Sequence, residues 1–353
     1  MSTWQKVITV SFCLLFIAVP LIFLPQTSEL FEFNKIIVTY ILTIIIVGAW
    51  VARMIAEGKF ILRRTPLDIP LCLLLLINLI SLIFSIDLHT SWYGYYSRWN
   101  GGMLSLLSYA LLYWAWVSNM EAKSTRLAIQ CAVYTAIPVA IWGALEHFGW
   151  SPSCLLTRGS WGVDCWVQDV KNRVFATLGQ PNWMAAYLAV LIWIPISKLR
   201  NFKFSILNFQ IISNVLIFIL LFSALLFTKS RSGLLAFGVS ATVFWGIYIW
   251  KLRELKNYLE IGIWLLVIAT LIFSVGNPVR DLVIRSSTPA PAPAGPALEV
   301  GGTESGTIRK IVWTGAIRIW QGSAKNFLIG TGPETFAESY YQFRPVEHNR
   351  TSE

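Results

Sequence analysis

The sequence predicts an all-α integral membrane protein, a polytopic bundle of about nine transmembrane helices with a large extracytoplasmic loop. Hydrophobic residues make up 56% of the 353 residues, whereas charged residues make up only 13%. Apolar runs of roughly 16 to 22 residues recur along the chain, and each can cross a hydrocarbon core of about 30 Å. The runs lie at Val7–Leu24, Ile36–Ile55, Leu67–Ile86, Met103–Ser118, Leu127–Phe148, Asn182–Ser197, Gln210–Phe227, Leu234–Trp250 and Leu259–Gly276.

The distribution of basic residues predicts the orientation of these helices. With a cytoplasmic amino terminus, the short cytoplasmic connections carry more Lys and Arg than the short outer connections, as the positive-inside rule requires. The chain after about Asn277 is then outside the cytoplasm. The predicted cytoplasmic segments contain Lys6, Arg53, Lys59, Arg63, Arg64, Lys123, Arg126, Lys198, Arg200, Lys203, Lys251, Arg253 and Lys256.

The first apolar run has two interpretations, a cleaved signal peptide or a retained helix. Lys6 precedes the run, as in a signal peptide. However, the run is longer than a usual signal-peptide core, it contains Pro20, and the following LPQTSEL lacks a small-x-small cleavage site. A retained transmembrane helix is therefore favoured.

The net positive charge of the chain does not require binding to nucleic acid. The net charge is +10, from 28 basic and 18 acidic residues. Nearly half of the basic residues lie in the predicted cytoplasmic segments, and no arginine-rich helix or aromatic-basic surface motif is seen. We therefore expect membrane lipid, and no nucleic acid, as a partner.

Two domains are predicted, the transmembrane bundle at 1–276 and an extracytoplasmic region at 277–353. Within the second, residues 287–306 are rich in Pro, Ala and Gly and lack aromatic residues, which is typical of a flexible loop. Residues 307–326 carry apolar side chains at helical spacing, which predicts an amphipathic helix lying on the membrane domain. Two glycines on one side of this helix, Gly315 and Gly322, would allow close approach.

Two of the cysteines share the loop after the fifth apolar run. Cys154 and Cys165 could form a disulfide in an oxidising compartment, or remain two free thiols. Their spacing matches no zinc ligand pair, and the loop has no histidine. No metal site and no cofactor are therefore predicted.

The chemistry is expected at basic groups near the outer membrane boundary. The short connection TKSRSGLL holds Lys229 and Arg231 between two serines, where they could bind a lipid-linked diphosphate. Arg318, beside the glycine stripe, is a second candidate for the same anion. The alternative interpretation of each is an interfacial cation that reaches into water or toward lipid headgroups.

Aromatic residues crowd the segment DLHTSWYGYYSRWNGG. Their Trp and Tyr rings suit the membrane–water boundary, although they could also stack on sugars. Arg98 and Trp99 are candidate contacts to a donor or its sugar, with interfacial anchoring as the alternative for Arg98. His89 and His147, at predicted helix ends, are interpreted as boundary residues.

Three stretches of the sequence resemble the superfamily of O-antigen ligases and O-antigen polymerases, which includes bacterial protein O-oligosaccharyltransferases. They are FATLGQPNWMAAYLA from Phe175, TKSRSGLLAF from Thr228 and RIWQGSAKNFLIGTGPETF from Arg318. The resemblance implies a metal-independent glycosyltransferase of the bacterial inner membrane. Such an enzyme transfers a glycan from undecaprenyl diphosphate, on the outer face, to a glycan, lipid or protein acceptor.

The resemblance also implies roles for particular residues. The family arginines that bind the diphosphate correspond to Arg231 and Arg318, whereas Lys229 is retained only as a neighbour. A family histidine in an HN motif is thought to act at the acceptor hydroxyl, and His348 with Asn349 gives that dipeptide. Because the spacing from GTGPETF is short, we expect the functional histidine beyond Glu353, in a longer protein of which this chain is a part.

Two rival functions are a lipid-linked glycan transporter or flippase and a noncatalytic membrane protein. Ionisable groups deep within the predicted spans are scarce, which disfavours ion-coupled transport. The sequence does not distinguish a ligase from a polymerase or a protein glycosyltransferase, since these differ in the acceptor. It also leaves the glycan and the oligomeric state undetermined.

Overall fold

A computed structural model describes residues 2–199, 209–252, 268, 270–272 and 305–351 of the protein. These described residues are helical and contain no strand, in agreement with the predicted all-α class. The longer helices are α1 (Thr3–Leu21), α2 (Glu32–Glu57), α3 (Asp68–Ile83), α5 (Met103–Asn119), α6 (Ala122–His147), α8 (Pro181–Leu191), α10 (Phe209–Phe227), α11 (Arg231–Leu252) and α12 (Ser305–Gln321). The shorter ones are α4 (Leu88–Tyr93), α7 (Pro152–Arg158), α9 (Trp193–Leu199), α13 (Ala324–Ile329), α14 (Phe336–Phe343) and α15 (Val346–Thr351).

The first eight predicted apolar runs each coincide with a helix or a pair of helices. Among the described helices, four are long and apolar enough to cross a membrane, namely α1, α2, α6 and α10. Two more, α3 and the apolar part of α11, are apolar but shorter. Most of the ninth run, Leu259–Gly276, and the predicted flexible loop up to residue 304 lie outside the described residues.

The sixth apolar run is divided into α8 and α9 at Ile192. Pro195 is the third residue of α9, has no N–H to donate and crowds the carbonyl group four residues before it, at Leu191. The join still packs tightly, since Ile192 is fully buried. The predicted single span is therefore an interrupted helix.

The described residues belong to two compact units. Unit one comprises residues 2–11, 36–121 and 305–351, and unit two comprises residues 12–35, 122–199, 209–252, 268 and 270–272. These units are defined by packing and do not test the division at residue 276, which stays a prediction.

The core of unit two lies between α6, α8, α9, α10 and α11. Met184, Leu188, Phe218 and Phe222 are fully buried there. The ring of Trp193 is stacked on those of Phe237 and Phe244, each with centroids 5.0 Å apart, and so joins α9 to α11. This core supports the turn that connects α10 to α11.

Unit one contains the amphipathic segment, and it is two helices rather than the predicted single helix at 307–326. The first, α12, ends at Gln321, and Ser323 caps α13 by accepting a hydrogen bond from Asn326 N at 3.0 Å. Gly322 and the capping serine favour this break, because neither residue type stabilises a helix interior. The predicted helix is therefore present up to Gln321, and its last residues belong to a separate short helix.

The glycine stripe on α12 contacts α14 within unit one. A Cβ atom at Gly315 would lie 2.3 Å from a ring carbon of Tyr340, and one at Gly322 would lie 2.9 Å from the ring of Phe343. Glycine is therefore required for α12 and α14 to approach this closely. The predicted close approach is present, and its partner is a neighbouring short helix.

Candidate functional site

The turn between α10 and α11 is fixed by its own hydroxyl groups. Ser230 N donates to Thr228 Oγ1 at 3.2 Å, and Gly233 N donates to Ser230 Oγ at 3.1 Å. Ser230 thus caps α11, and Arg231 is the first residue of that helix. Lys229, at the centre of the turn, has a φ of 46°, a left-handed conformation that non-glycine residues rarely adopt.

This turn is attached to the first turn of α8. Ser230 Oγ donates to Asn182 Oδ1 at 2.8 Å. A Cβ atom at Gly233 would lie only 2.4 Å from Ala185 Cβ, so α11 and α8 are in direct contact at this level. The structure therefore brings together, within unit two, the stretches from Phe175 and from Thr228 that carry the resemblance.

Two cations extend from the turn. The Lys229 ammonium donates a short hydrogen bond to Asn172 Oδ1. Arg231 is exposed, and within the described parts of the chain its guanidinium has no hydrogen-bond or ion-pair partner. The amino terminus of α11 adds its partial positive charge. An uncommitted guanidinium at a helix amino terminus can bind the oxygens of a phosphate group.

A cleft of about 530 Å³ opens beside the same turn in unit two. Its lining residues are His147, Phe148, Asp169, Lys171 and Asn172. The His147 ring is stacked on Phe227 with centroids 4.0 Å apart, and its Nδ1 lies 3.0 Å from the Lys171 carbonyl oxygen.

This cleft was not predicted from the sequence, in which His147 is interpreted only as a boundary residue. The lining residues come from the end of α6 and from the loop before α8, so they meet only in the folded chain. No sequence motif marks that meeting.

A buried carboxylate supports the loop behind the cleft. Glu146 is fully buried and accepts hydrogen bonds from Ala176 N at 2.9 Å and Phe175 N at 3.2 Å. Ser151 Oγ and Ser153 Oγ also donate to it, at 3.3 and 3.4 Å. Glu146 therefore connects the end of α6 to both ends of the following loop. Its signal in the sequence is a single glutamate near the end of the apolar run Leu127–Phe148.

The two loop cysteines form a disulfide in the structure. Cys154 and Cys165 are 11 residues apart in sequence, with Cα atoms 5.4 Å apart. Within the described residues, no group of His, Cys, Asp and Glu side chains could hold a metal ion.

Arg318 lies in unit one, in the last turn of α12, where it is exposed. It belongs to a cluster with Tyr340, Arg344 and His348, which we call the carboxyl-terminal cluster. Burial raises the pKa of Tyr340, and the positive charges of Arg344 and Arg318 oppose that rise. The structure therefore places Arg318, which is predicted to bind the diphosphate, close to the phenol of Tyr340.

His348 is bonded to the same phenol. Its Nδ1 lies 2.6 Å from Tyr340 Oη. Burial lowers the pKa of the imidazole below its usual 6.5, and the charge of Arg344 lowers it further. The Asn349 side chain, the other member of the HN pair, lies outside the described part of the chain.

Arg98 and Trp99 also lie in unit one, against the GTGPETF turn. A Cβ atom at Gly101 would lie 2.1 Å from Glu334 Oε1, so the two segments are in direct contact. Burial raises the pKa of Glu334, whereas the positive charge of Arg98 lowers it. Part of the Arg98 charge is therefore balanced by Glu334. The Trp99 carbonyl accepts from Tyr40 Oη at 2.9 Å, and its side chain is partly exposed.

Residues 216–353 match the family model described as O-antigen ligase. That match supports the resemblance to the O-antigen ligase superfamily. No curated protein and no solved structure matches the chain.

The O-antigen ligase segment contains both arginines of the predicted donor site, Arg231 and Arg318. Together with four helices able to cross a bilayer, the match indicates a membrane protein similar to a glycan-transfer family. The cleft residues and Asn182 precede the matched segment in sequence. In unit two, the arginine of the O-antigen ligase segment is thus held beside a surface from the preceding part of the chain.

Proposed function

We propose that the protein is a glycosyltransferase of the bacterial cytoplasmic membrane. It moves a glycan from undecaprenyl diphosphate to an acceptor on the outer face, with the amino terminus in the cytoplasm. The observation that carries this proposal is the exposed Arg231 guanidinium at the capped start of α11, beside Lys229. The match of this segment to the O-antigen ligase family model supports it.

The reaction requires positive charge where the leaving group forms. The acceptor oxygen attacks the anomeric carbon of the donor, and the bond from that carbon to the phosphate oxygen breaks. Undecaprenyl diphosphate leaves with the bonding electrons, and a base takes the acceptor proton. Fixed cations stabilise the negative charge that develops on the diphosphate. We assign this role to Arg231 in unit two and, separately, to Arg318 in unit one. We also propose that no metal ion is needed.

His348 is the histidine of the chain with an HN motif, but its environment favours a structural role. Its Nδ1 is engaged by Tyr340, at the short distance given above. We expect His348→Gln to retain most of the transfer activity, with the acceptor base supplied by another residue. A loss of about 10²-fold or more, with donor binding intact, would instead assign the base to His348.

The test is transfer by the protein in proteoliposomes that contain a labelled undecaprenyl-diphosphate glycan and a candidate acceptor. We expect Arg231→Ala to lower the transfer rate about 10²-fold or more, the range for removing one transition-state donor. Arg231→Lys should recover only part of the rate, because an ammonium cannot bind two phosphate oxygens in a planar fork. The matched control is Arg309→Ala, which removes an exposed cation from α12.

Each outcome separates the proposal from a rival. Full activity in Arg231→Ala would refute the diphosphate site. Movement of the labelled lipid between leaflets without a new glycosidic bond would identify a flippase. A protein that does neither would be noncatalytic. The acceptor that becomes labelled, whether lipid, glycan or protein, would distinguish a ligase from a polymerase or a protein glycosyltransferase.

A further inference from the structure

The cleft beside the turn of unit two contains, besides the cation Lys171, two lining groups that the binding of a diphosphate does not explain. One lining residue, Asp169, is a carboxylate that would repel a phosphate group. Another, Phe148, is a phenyl ring with 67% of its surface exposed. The volume of about 530 Å³ lies within the range of small-molecule sites, about 300 to 1,000 Å³.

These groups match the chemistry of a sugar ring. Sugar hydroxyls both donate and accept hydrogen bonds, so they pair with a carboxylate such as Asp169 and with an amide such as Asn172. The C–H face of a pyranose is apolar and packs on an aromatic ring. Phe148 is held for such packing by edge contacts with His147 and Phe227, at centroid distances of 5.4 and 6.1 Å.

The position of the cleft relates it to Arg231. Asn172, in its wall, accepts a hydrogen bond from Lys229, which lies two residues before Arg231. Phe227, stacked on His147, ends α10 at the start of the same turn. The cleft and the cationic turn are thus parts of one surface within unit two.

We infer that this cleft is a glycan subsite that binds the sugar attached to the donor diphosphate. The inference rests on the proposed function, since it takes the diphosphate to be bound at Arg231. Phe148 packs against the sugar ring, and Asp169 and Asn172 bind its hydroxyls. These residues then determine which first sugar the enzyme accepts.

The experiment measures binding of two lipids to the detergent-solubilised protein by calorimetry. One probe is undecaprenyl diphosphate, and the other is undecaprenyl diphosphate that carries a single N-acetylhexosamine. We expect Phe148→Ala and Asp169→Asn each to weaken binding of the sugar-bearing lipid about tenfold. Binding of the sugar-free lipid should stay within about twofold, because the lost contacts are to the sugar alone.

Two further variants serve as controls. Phe209→Ala removes another exposed phenyl ring, from the opposite end of α10, and should change neither affinity. Arg231→Ala should weaken both lipids, because both carry the diphosphate.

The outcomes distinguish the subsite from the proposed function. If Phe148→Ala and Asp169→Asn leave both affinities unchanged, or weaken both lipids equally, the glycan subsite is refuted while the donor site stands. If the unaltered protein binds neither lipid, the proposed function is refuted and the subsite with it.

Discussion

The two arginines predicted to bind the diphosphate are positioned by different kinds of contact. Arg231 follows a turn whose hydroxyls are bonded to backbone groups, and its helix packs on α8 at a glycine. Arg318 is on the exposed side of α12, and that helix meets α14 where a glycine contacts an aromatic ring. Arg231 is thus supported by backbone hydrogen bonds and helix packing, whereas the support of Arg318 depends on the position of an aromatic side chain.

This difference predicts how each unit responds to substitution. A change behind Arg231 meets buried groups that have no room to move, so it should destabilise the fold. A change behind Arg318 meets the ring of Tyr340, which is the end of a side chain rather than backbone. We therefore expect a smaller loss of stability and a larger local rearrangement in unit one.

The largest effect is expected at Glu146, in unit two. Glu146→Leu would leave the buried N–H groups of Phe175 and Ala176 without their acceptor. At about 1–3 kcal/mol for each unsatisfied group, the loss of unfolding free energy should be about 2–6 kcal/mol. Thermal unfolding in detergent, monitored through protease resistance, would measure this loss of stability.

Glu146→Gln is the matched variant, because its carbonyl oxygen can still accept from one or both N–H groups. We expect it to lose about 1–2 kcal/mol at most. Equal stability of Glu146→Leu and the unaltered protein would show that the carboxylate does not hold the loop.

The next largest loss of stability is expected at a glycine of α11, and a second glycine of the same helix is the control. Gly233→Ala would place its Cβ atom 2.4 Å from Ala185 Cβ, which lies on a buried part of α8. We expect a cost of about 1–3 kcal/mol from overpacking, together with a displaced Arg231 and weaker donor binding. Gly238→Ala is the control, since no atom lies within 4 Å of its added Cβ. Equal melting temperatures for the two variants would contradict the close contact.

In unit one, Gly315→Ala should have a smaller effect on stability. The added Cβ atom would lie 2.3 Å from the Tyr340 ring, which would rotate and release its bond to His348. We expect a loss of about 1 kcal/mol, the contribution of one hydrogen bond. Thr314→Ala, at an exposed neighbouring position, is the control. A loss as large as that of Gly233→Ala would remove the contrast between the units.

The smallest effect concerns pH. Because the pKa of His348 is lower in the folded protein than its usual 6.5, the unfolded chain binds the proton more readily. Stability should therefore fall as pH decreases below about 6.5, until the folded imidazole is also protonated. We expect the melting temperature of His348→Gln to decrease less than that of the unaltered protein between pH 7.5 and 5.5. An identical pH dependence would refute the contribution of His348.

The helices were predictable because length and apolarity decide whether a segment can cross a bilayer. This signal located α1, α2, α6 and α10 to within several residues. It did not predict the division at Ile192 or the end of α12, since these depend on one proline and on one capping serine. The proline and the serine are both visible in the sequence, but each is a weaker signal than the apolar or amphipathic pattern around it.

The candidate site was predictable only in part. The resemblance named Arg231 and Arg318, and elementary electrostatics supported both. It gave no indication of Asn172, Asn182 or Asp169, because their roles depend on contacts between segments distant in sequence. The bond between Tyr340 and His348 likewise depends on how α14 meets α15.

The Cys154–Cys165 disulfide also offers a chemical marker of membrane sidedness. Cys154 is buried and Cys165 is partly exposed. In intact cells, a reductant and a thiol-alkylating reagent that cannot cross the membrane would reach the disulfide through Cys165, and only if this loop faces the exterior. Two added alkyl groups after external reduction, counted by mass spectrometry, would therefore report the orientation of the chain without any fusion tag. Because Cys13, Cys72 and Cys131 are free thiols, the sample alkylated without reduction supplies the baseline.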